Sequence, residues 1–154
     1  MSTNNLLTLE GVHTHIGAYH ILHGVDLVVP RGQLTLLLGR NGVGKTTTKE
    51  LIAQVLAVRH TVLKSEGNQN NAIGVPLSLL RLTGEHDYAV LEMGMDRLGE
   101  ITSYCQWARP QIGVVTMIGP VHQEKLGSMQ NIAKAKSELV QALPNAKQGG
   151  VAVL

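Results

Sequence analysis

One cysteine, no phenylalanine, one tryptophan and three tyrosines in 154 residues exclude several protein classes at the outset. Cys105 has no second cysteine to pair with, so the fold is not held by an internal disulfide. The opening MSTNNLL lacks the basic start and apolar stretch of a secretion signal. The longest apolar runs, such as residues 34–38, fall far short of the roughly 20 residues that cross a bilayer. No membrane insertion is expected, and a cytoplasmic location follows as the expectation. Thirteen Lys and Arg against 11 Asp and Glu give a net charge of +2 without a basic stripe, and 3% aromatics offer no stacking platform for bases. Nucleic acid is therefore not an expected partner.

What is present is a core and many glycines. With 44% hydrophobic residues, a chain of this length removes about 68–70% of its unfolded surface from water, enough for one domain without staples. Strand formers dominate residues 6–13 and 25–29, with no helix between them, which predicts an antiparallel hairpin. Pro30-Arg31-Gly32 turns the chain into residues 34–38, read as a buried central strand. Thereafter strand and helix patterns alternate. Helices are predicted near residues 46–57, 76–82, 99–107 and 129–143, and strands at 61–63, 88–92, 112–116 and 150–154. With the glycine-rich stretch Gly39-Arg40-Asn41-Gly42-Val43-Gly44-Lys45-Thr46 between a strand and a helix, the expectation is a three-layer α/β domain of the P-loop NTPase type over residues 1–154, a mostly parallel sheet with N-terminal antiparallel strands. A bare sheet edge beside the last strand would invite a homodimer.

Gly39-Arg40-Asn41-Gly42-Val43-Gly44-Lys45-Thr46 satisfies G-x-x-x-x-G-K-[ST] between a predicted strand and a predicted helix. The glycines let successive backbone N–H groups converge on phosphate oxygens, and the helix N-terminus adds its positive end. Gly39, Asn41, Gly42, Val43, Gly44, Lys45, Thr46 and Thr47 are thus the expected phosphate contacts of a nucleoside triphosphate. Lys45 is assigned to the β- and γ-phosphates and the Thr46 hydroxyl to Mg2+. Arg40, inside the loop, is poorly placed as an arginine finger.

Two resemblances meet at this loop. Ile21-Leu22-His23-Gly24-Val25-Asp26-Leu27 together with residues 39–47 makes residues 1–48 resemble the start of an ABC-transporter ATPase of the branched-chain amino-acid type. That pattern is not continued: no Leu-Ser-Gly-Gly-Gln signature and no hydrophobic strand ending in Asp-Glu follows. Residues 45–154 instead resemble the central ATP-binding domain of the Mur ligases, most of all the D-alanyl-D-alanine-adding type. The carrying residues are Lys64 through Pro76, Glu92-Met93-Gly94-Met95 with Gly99-Glu100-Ile101, Ile118-Gly119-Pro120-Val121-His122, and Ala133-Lys134-Ala135-Lys136. Both families read Lys-Thr-Thr at Lys45, so the pair of resemblances implies an engineered chimera joined there. Mur ligases use the shorter G-x-x-G-K loop, whereas this chain carries the longer spacing.

The Mur resemblance implies ATP and Mg2+ as cofactors, with Glu92 and His122 joining Thr46 as metal ligands. It also implies that Lys136 is the lysine that becomes carbamylated. Independently, Glu92 ends an apolar run at the carboxyl edge of a strand, where ligands of open α/β sheets bind. Lys136 falls about 40° from Ile132 on a helical wheel, on the apolar face, while Lys134 points away. The resemblance also makes residues 66–71 face the nucleotide and the muramyl substrate. Cys105 and Trp107 are expected in the helix core. His13, His15, His20 and His23 alternate along strands without a companion cysteine or carboxylate, which argues against zinc. Met117 stands where the Mur pattern has asparagine.

Neither family's adenine clamp is assigned here. The ABC aromatic falls at Ile16, and the Mur Asn-Ala-Asp-Asp segment would begin after Leu154, which predicts weak discrimination between ATP and GTP. The expected function is Mg2+-dependent nucleoside triphosphate binding with at most slow hydrolysis, no catalytic base being assigned, and without complete ligase or transport activity. The alternatives are a fold-recombination scaffold with a vestigial loop, or residual phosphoryl transfer through Glu92, His122 and Lys136.

Overall fold

Period-two alternation along short strands decides what each residue faces, and here it separates two cores. The computed structural model describes residues 5–16, 19–30, 35–38, 45–116 and 126–154. Strands β1 (Asn5–Ile16) and β2 (Tyr19–Pro30) form an antiparallel pair, as the missing helix between them predicts. The other strands are β3 (Thr35–Leu38), β4 (Val62–Lys64), β5 (Tyr88–Met93), β6 (Ile112–Val115) and β7 (Val151–Val153). They make one parallel sheet in the order β4-β5-β3-β6-β7, so the strand leading into the glycine-rich loop is central, as expected.

Helices α1 (Lys45–Ala57), α2 (Gly74–Leu80), α3 (Glu100–Ala108) and α4 (Met129–Ala142) join them. The connection from β3 to β4 runs one way along the sheet; those from β4 to β5, β5 to β6 and β6 to β7 run the other way. Right-handed crossovers then put α1 on one face and α2, α3 and α4 on the opposite face. The packing agrees. Ile52, Ala53 and Leu56 of α1 cluster with Tyr88, Val90, Ile112 and Val114, whereas Leu91, Met93 and Val115 pack with Ile101, Tyr104, Ile132 and Leu139. Glu92, between Leu91 and Met93, therefore opens toward α1.

Gly113 lies on the α4 face, where a Cβ would stand 2.8 Å from Leu139 Cγ. Gly113→Ala is expected to destabilise the domain by about 1–3 kcal/mol, the cost of overpacking a filled core. A lowered urea midpoint with an unchanged slope checks this.

Helix α3 begins at Gly99 with φ 89°, a position that favours glycine but supplies no capping side chain. Glu138 of α4 serves instead, accepting from Gly99 N at 2.7 Å, Thr102 N at 3.0 Å and Thr102 Oγ1 at 3.0 Å. One expectation on α3 is corrected. Cys105 is buried, but Trp107 is half exposed. The inward positions Ile101, Tyr104 and Cys105 follow helical spacing, and Trp107 lies off that stripe.

Candidate functional site

The site forms where the first turn of α1 meets the carboxyl ends of β4 and β5. At 3.6 residues per turn, Lys45, Thr48, Lys49 and Ile52 share the inward face of α1, and all four are buried. Thr46 is exposed at the helix start, and its hydroxyl donates to Glu92 Oε2 at 3.0 Å. The other carboxylate oxygen, Oε1, accepts from Asn70 Nδ2 at 3.0 Å and lies 3.6 Å from Lys45 Nζ. Lys45 also reaches the Met93 carbonyl at 3.5 Å. The Glu92 backbone N donates to Ser65 Oγ at 2.8 Å, fixing the residue at its main chain as well.

Glu92 is only 3% exposed, so its charge is held by these partners and by little water. Burial pushes the Lys45 ammonium below its ordinary 10.5, and the facing Glu92 carboxylate partly offsets this. Glu50 is shifted down by its hydrogen bond from Lys64, against a smaller upward push from burial. Cys105 stands apart from this cluster, and burial raises its thiol to about 12, far from a nucleophile's range.

Lys45, Thr46 and Glu92, expected to act together, converge. Thr47 is half-buried next to them. Gly39, Asn41, Gly42, Val43, Gly44, His122 and Met117 lie outside the described residues. Lys136 is buried on the inward face of α4 and Lys134 is exposed, as the helical wheel predicts. Lys136 belongs to the layer opposite α1. The 66–71 loop divides: Asn70 joins Glu92, while Glu66 is exposed and pairs with Arg81 at 2.7 Å. Asn71 Oδ1 accepts from Ile73 N and Gly74 N, and so starts α2.

An open cavity of about 420 Å3 adjoins the carboxylate, sharing Asn70 with it and lined further by Asn71, Gly94, Asp96, Glu100 and Tyr104. Gly94 fits tightly there: its N–H donates to Asn70 O at 2.6 Å, and a Cβ would lie 3.2 Å from that same oxygen.

Two participants escaped the sequence reading. Ser65 sits just past β4, and Lys49 is wholly buried beneath Lys45. The i, i+4 spacing of Lys45 and Lys49, on the stripe of Ile52 and Leu56, was the available signal.

A hydroxyl and a carboxylate 3.0 Å apart beside a lysine form a hard-oxygen donor set of the kind Mg2+ favours. The Mur ligase middle domain model matches residues 42–154. The UDP-N-acetylmuramoyl-tripeptide–D-alanyl-D-alanine ligase of Synechocystis is 48% identical over 109 residues, 70% of this chain and 24% of the relative. The Escherichia coli ligase of that name is 42% identical over 111 residues, 72% of this chain and 24% of its own length. Among solved structures, MurF from Acinetobacter baumannii superposes with a TM-score of 0.71 at 37% identity, covering 78% of this chain and 25% of that one. The MurF ligase from Thermotoga maritima in complex with ADP gives 0.64 at 32%, covering 73% and 26%. The chain thus spans about a quarter of the length of these relatives. The family match begins at residue 42 and so takes in α1 and every later element of the sheet. This chain belongs to the Mur ligase middle-domain family.

Proposed function

We propose that this domain binds Mg2+–ATP at the carboxyl ends of β3 and β5, as the nucleotide-handling part of a ligase chemistry that activates a carboxylate by phosphoryl transfer. The observation that carries this is the meeting of Thr46 Oγ1 and Glu92 Oε2 at 3.0 Å, with Lys45 Nζ 3.6 Å from the other carboxylate oxygen. Bound Mg2+ would neutralise phosphate charge; Thr46 and Glu92 would hold it, with His122 as the further ligand. Lys45 and the backbone of residues 39–44, with Thr47, would hold phosphates. Lys136, buried on α4, is the lysine that the Mur resemblance would have carbamylated. The cavity beside Asn70 suits the substrate that receives the phosphoryl group, at the edge of the sheet where open α/β sheets bind ligands. Its two carboxylates, Asp96 and Glu100, favour a polar or amine-bearing portion of that substrate.

By itself the domain would hydrolyse ATP slowly at most, since among the described residues none is assigned as a general base beside the Thr46–Glu92 pair. The ABC-like reading of residues 1–48, and with it the engineered junction at Lys45, rests on the residues of that segment. A cytoplasmic location and a homodimer through the β7 edge belong to the same proposal; among the described residues, no helix is long and apolar enough to cross a membrane.

Calorimetric titration of ATP with and without Mg2+ tests the reading. Wild type should bind more tightly with the metal, and Thr46→Val should weaken only the metal-dependent part, by about tenfold or more. Binding that ignores both Mg2+ and Thr46→Val would overturn the metal site, and no ATP binding at all would leave the scaffold reading in its place.

A further inference from the structure

Lys49 has no solvent exposure, and its surroundings are more specific than a buried lysine needs for packing alone. Its ammonium donates to the Ser65 carbonyl at 2.8 Å and the Gly67 carbonyl at 3.4 Å, and lies 3.4 Å from Glu50 Oε1 and 3.9 Å from Glu92 Oε2. Gly67 takes a φ of 49°, which helps turn its carbonyl back toward α1 and is costly for residues with a Cβ. The same short segment then holds Glu92 twice, once at its main chain and once at its carboxylate. Ser65 Oγ accepts the Glu92 N–H, and Asn70 Nδ2 donates to Glu92 Oε1.

We propose that Lys49 is a positioning residue for Glu92: it pins residues 65–70 to α1 so that Ser65 fixes the Glu92 main chain and Asn70 holds its carboxylate against Thr46. This rests on the Mg2+–ATP reading above. An ammonium suits the task because it supplies three donors to carbonyls on one side and a counter-charge to Glu92 and Glu50 on the other. An apolar residue of equal length fills the space and supplies neither. Groups that orient metal ligands in this way typically change metal affinity about 10–100-fold when removed.

The readout is the ratio of ATP dissociation constants measured without and with Mg2+ on the full chain. A merely structural lysine would lower thermal stability and leave that ratio alone. Lys49→Met should reduce the ratio about tenfold or more, and Asn70→Ala should reduce it comparably. The double variant should fall no further than the worse single one, because both act on one chain of contacts. Lys49→Arg, which keeps donors and charge, should recover most of the loss. If Lys49→Met does not fold, Lys49→Gln against Lys49→Arg makes the same comparison. An unchanged ratio in the Lys49 variants, or losses that simply add with Asn70→Ala, overturns the inference and leaves the nucleotide reading standing. A wild-type chain with no Mg2+ dependence overturns both.

Discussion

Glu92→Ala should cost the domain about 3–5 kcal/mol of folding stability and its Mg2+-dependent nucleotide binding together. The stability loss follows from what remains. Lys45 and Lys49 are 3% and 0% exposed, with their ammonium groups 3.6 and 3.9 Å from this one carboxylate. Truncation leaves Lys45 facing the Met93 carbonyl and Lys49 with the Ser65 and Gly67 carbonyls and Glu50 at 3.4 Å as compensation, the arrangement that makes a broken buried pair far worse than an exposed one. Asn70 Nδ2 and the Thr46 hydroxyl lose their acceptor as well. Urea unfolding should show the lower midpoint, and calorimetry should show ATP binding indifferent to Mg2+. Glu92→Gln separates the two effects: it preserves shape and one acceptor oxygen while removing the charge, so more stability should survive than metal dependence. A Glu92→Ala protein as stable as wild type would mean that the two lysines find other partners.

How much of this was legible beforehand depends on the range of the interaction. The α/β order followed from alternation, and the central place of β3 from its run of leucines, because local pattern and global layer agree there. Glu92 was legible because a charge ending an apolar strand stands at the ligand edge of an open sheet. Lys136 was legible because a helical wheel needs only its own helix. What stayed hidden was carried between elements. The Glu138 cap on α3 joins residues 36 or more positions apart, and nothing near Gly99 announces it. Lys49 reads locally as one more polar residue after Thr46-Thr47-Thr48; its role appears only when β4 delivers the Ser65 and Gly67 carbonyls to it. Trp107 went astray for the opposite reason, since its size suggested burial while its angle on α3 placed it outside. The Mur resemblance read from residues 45–154 was legible because its carrying residues are spread through the body of the domain, which matches the Mur ligase middle domain.

Lys45→Ala should reduce ATP affinity at least about thirtyfold, the lower end of what removing one partner of a buried charge pair costs, about 2 kcal/mol. Its effect on folding should differ in kind from that of Glu92→Ala. Burial holds the Lys45 ammonium below its ordinary 10.5, so between the depressed folded value and 10.5 the unfolded chain binds the proton more readily than the folded one. Stability contributed at this position therefore rises with pH through that window, and the cost of the buried charge is fully present below it. Lys45→Met lacks the titrating group and keeps the apolar stem. The stability of wild type relative to Lys45→Met should accordingly improve as pH climbs toward 10.5, in urea unfolding measured at a series of alkaline pH values. Glu92 works against this trend because its carboxylate favours the charged lysine, so the slope should steepen in a Glu92→Gln background. A flat difference across the window would show that the Glu92 carboxylate fully offsets the burial of the ammonium, and would overturn the claim of a net cost at this position.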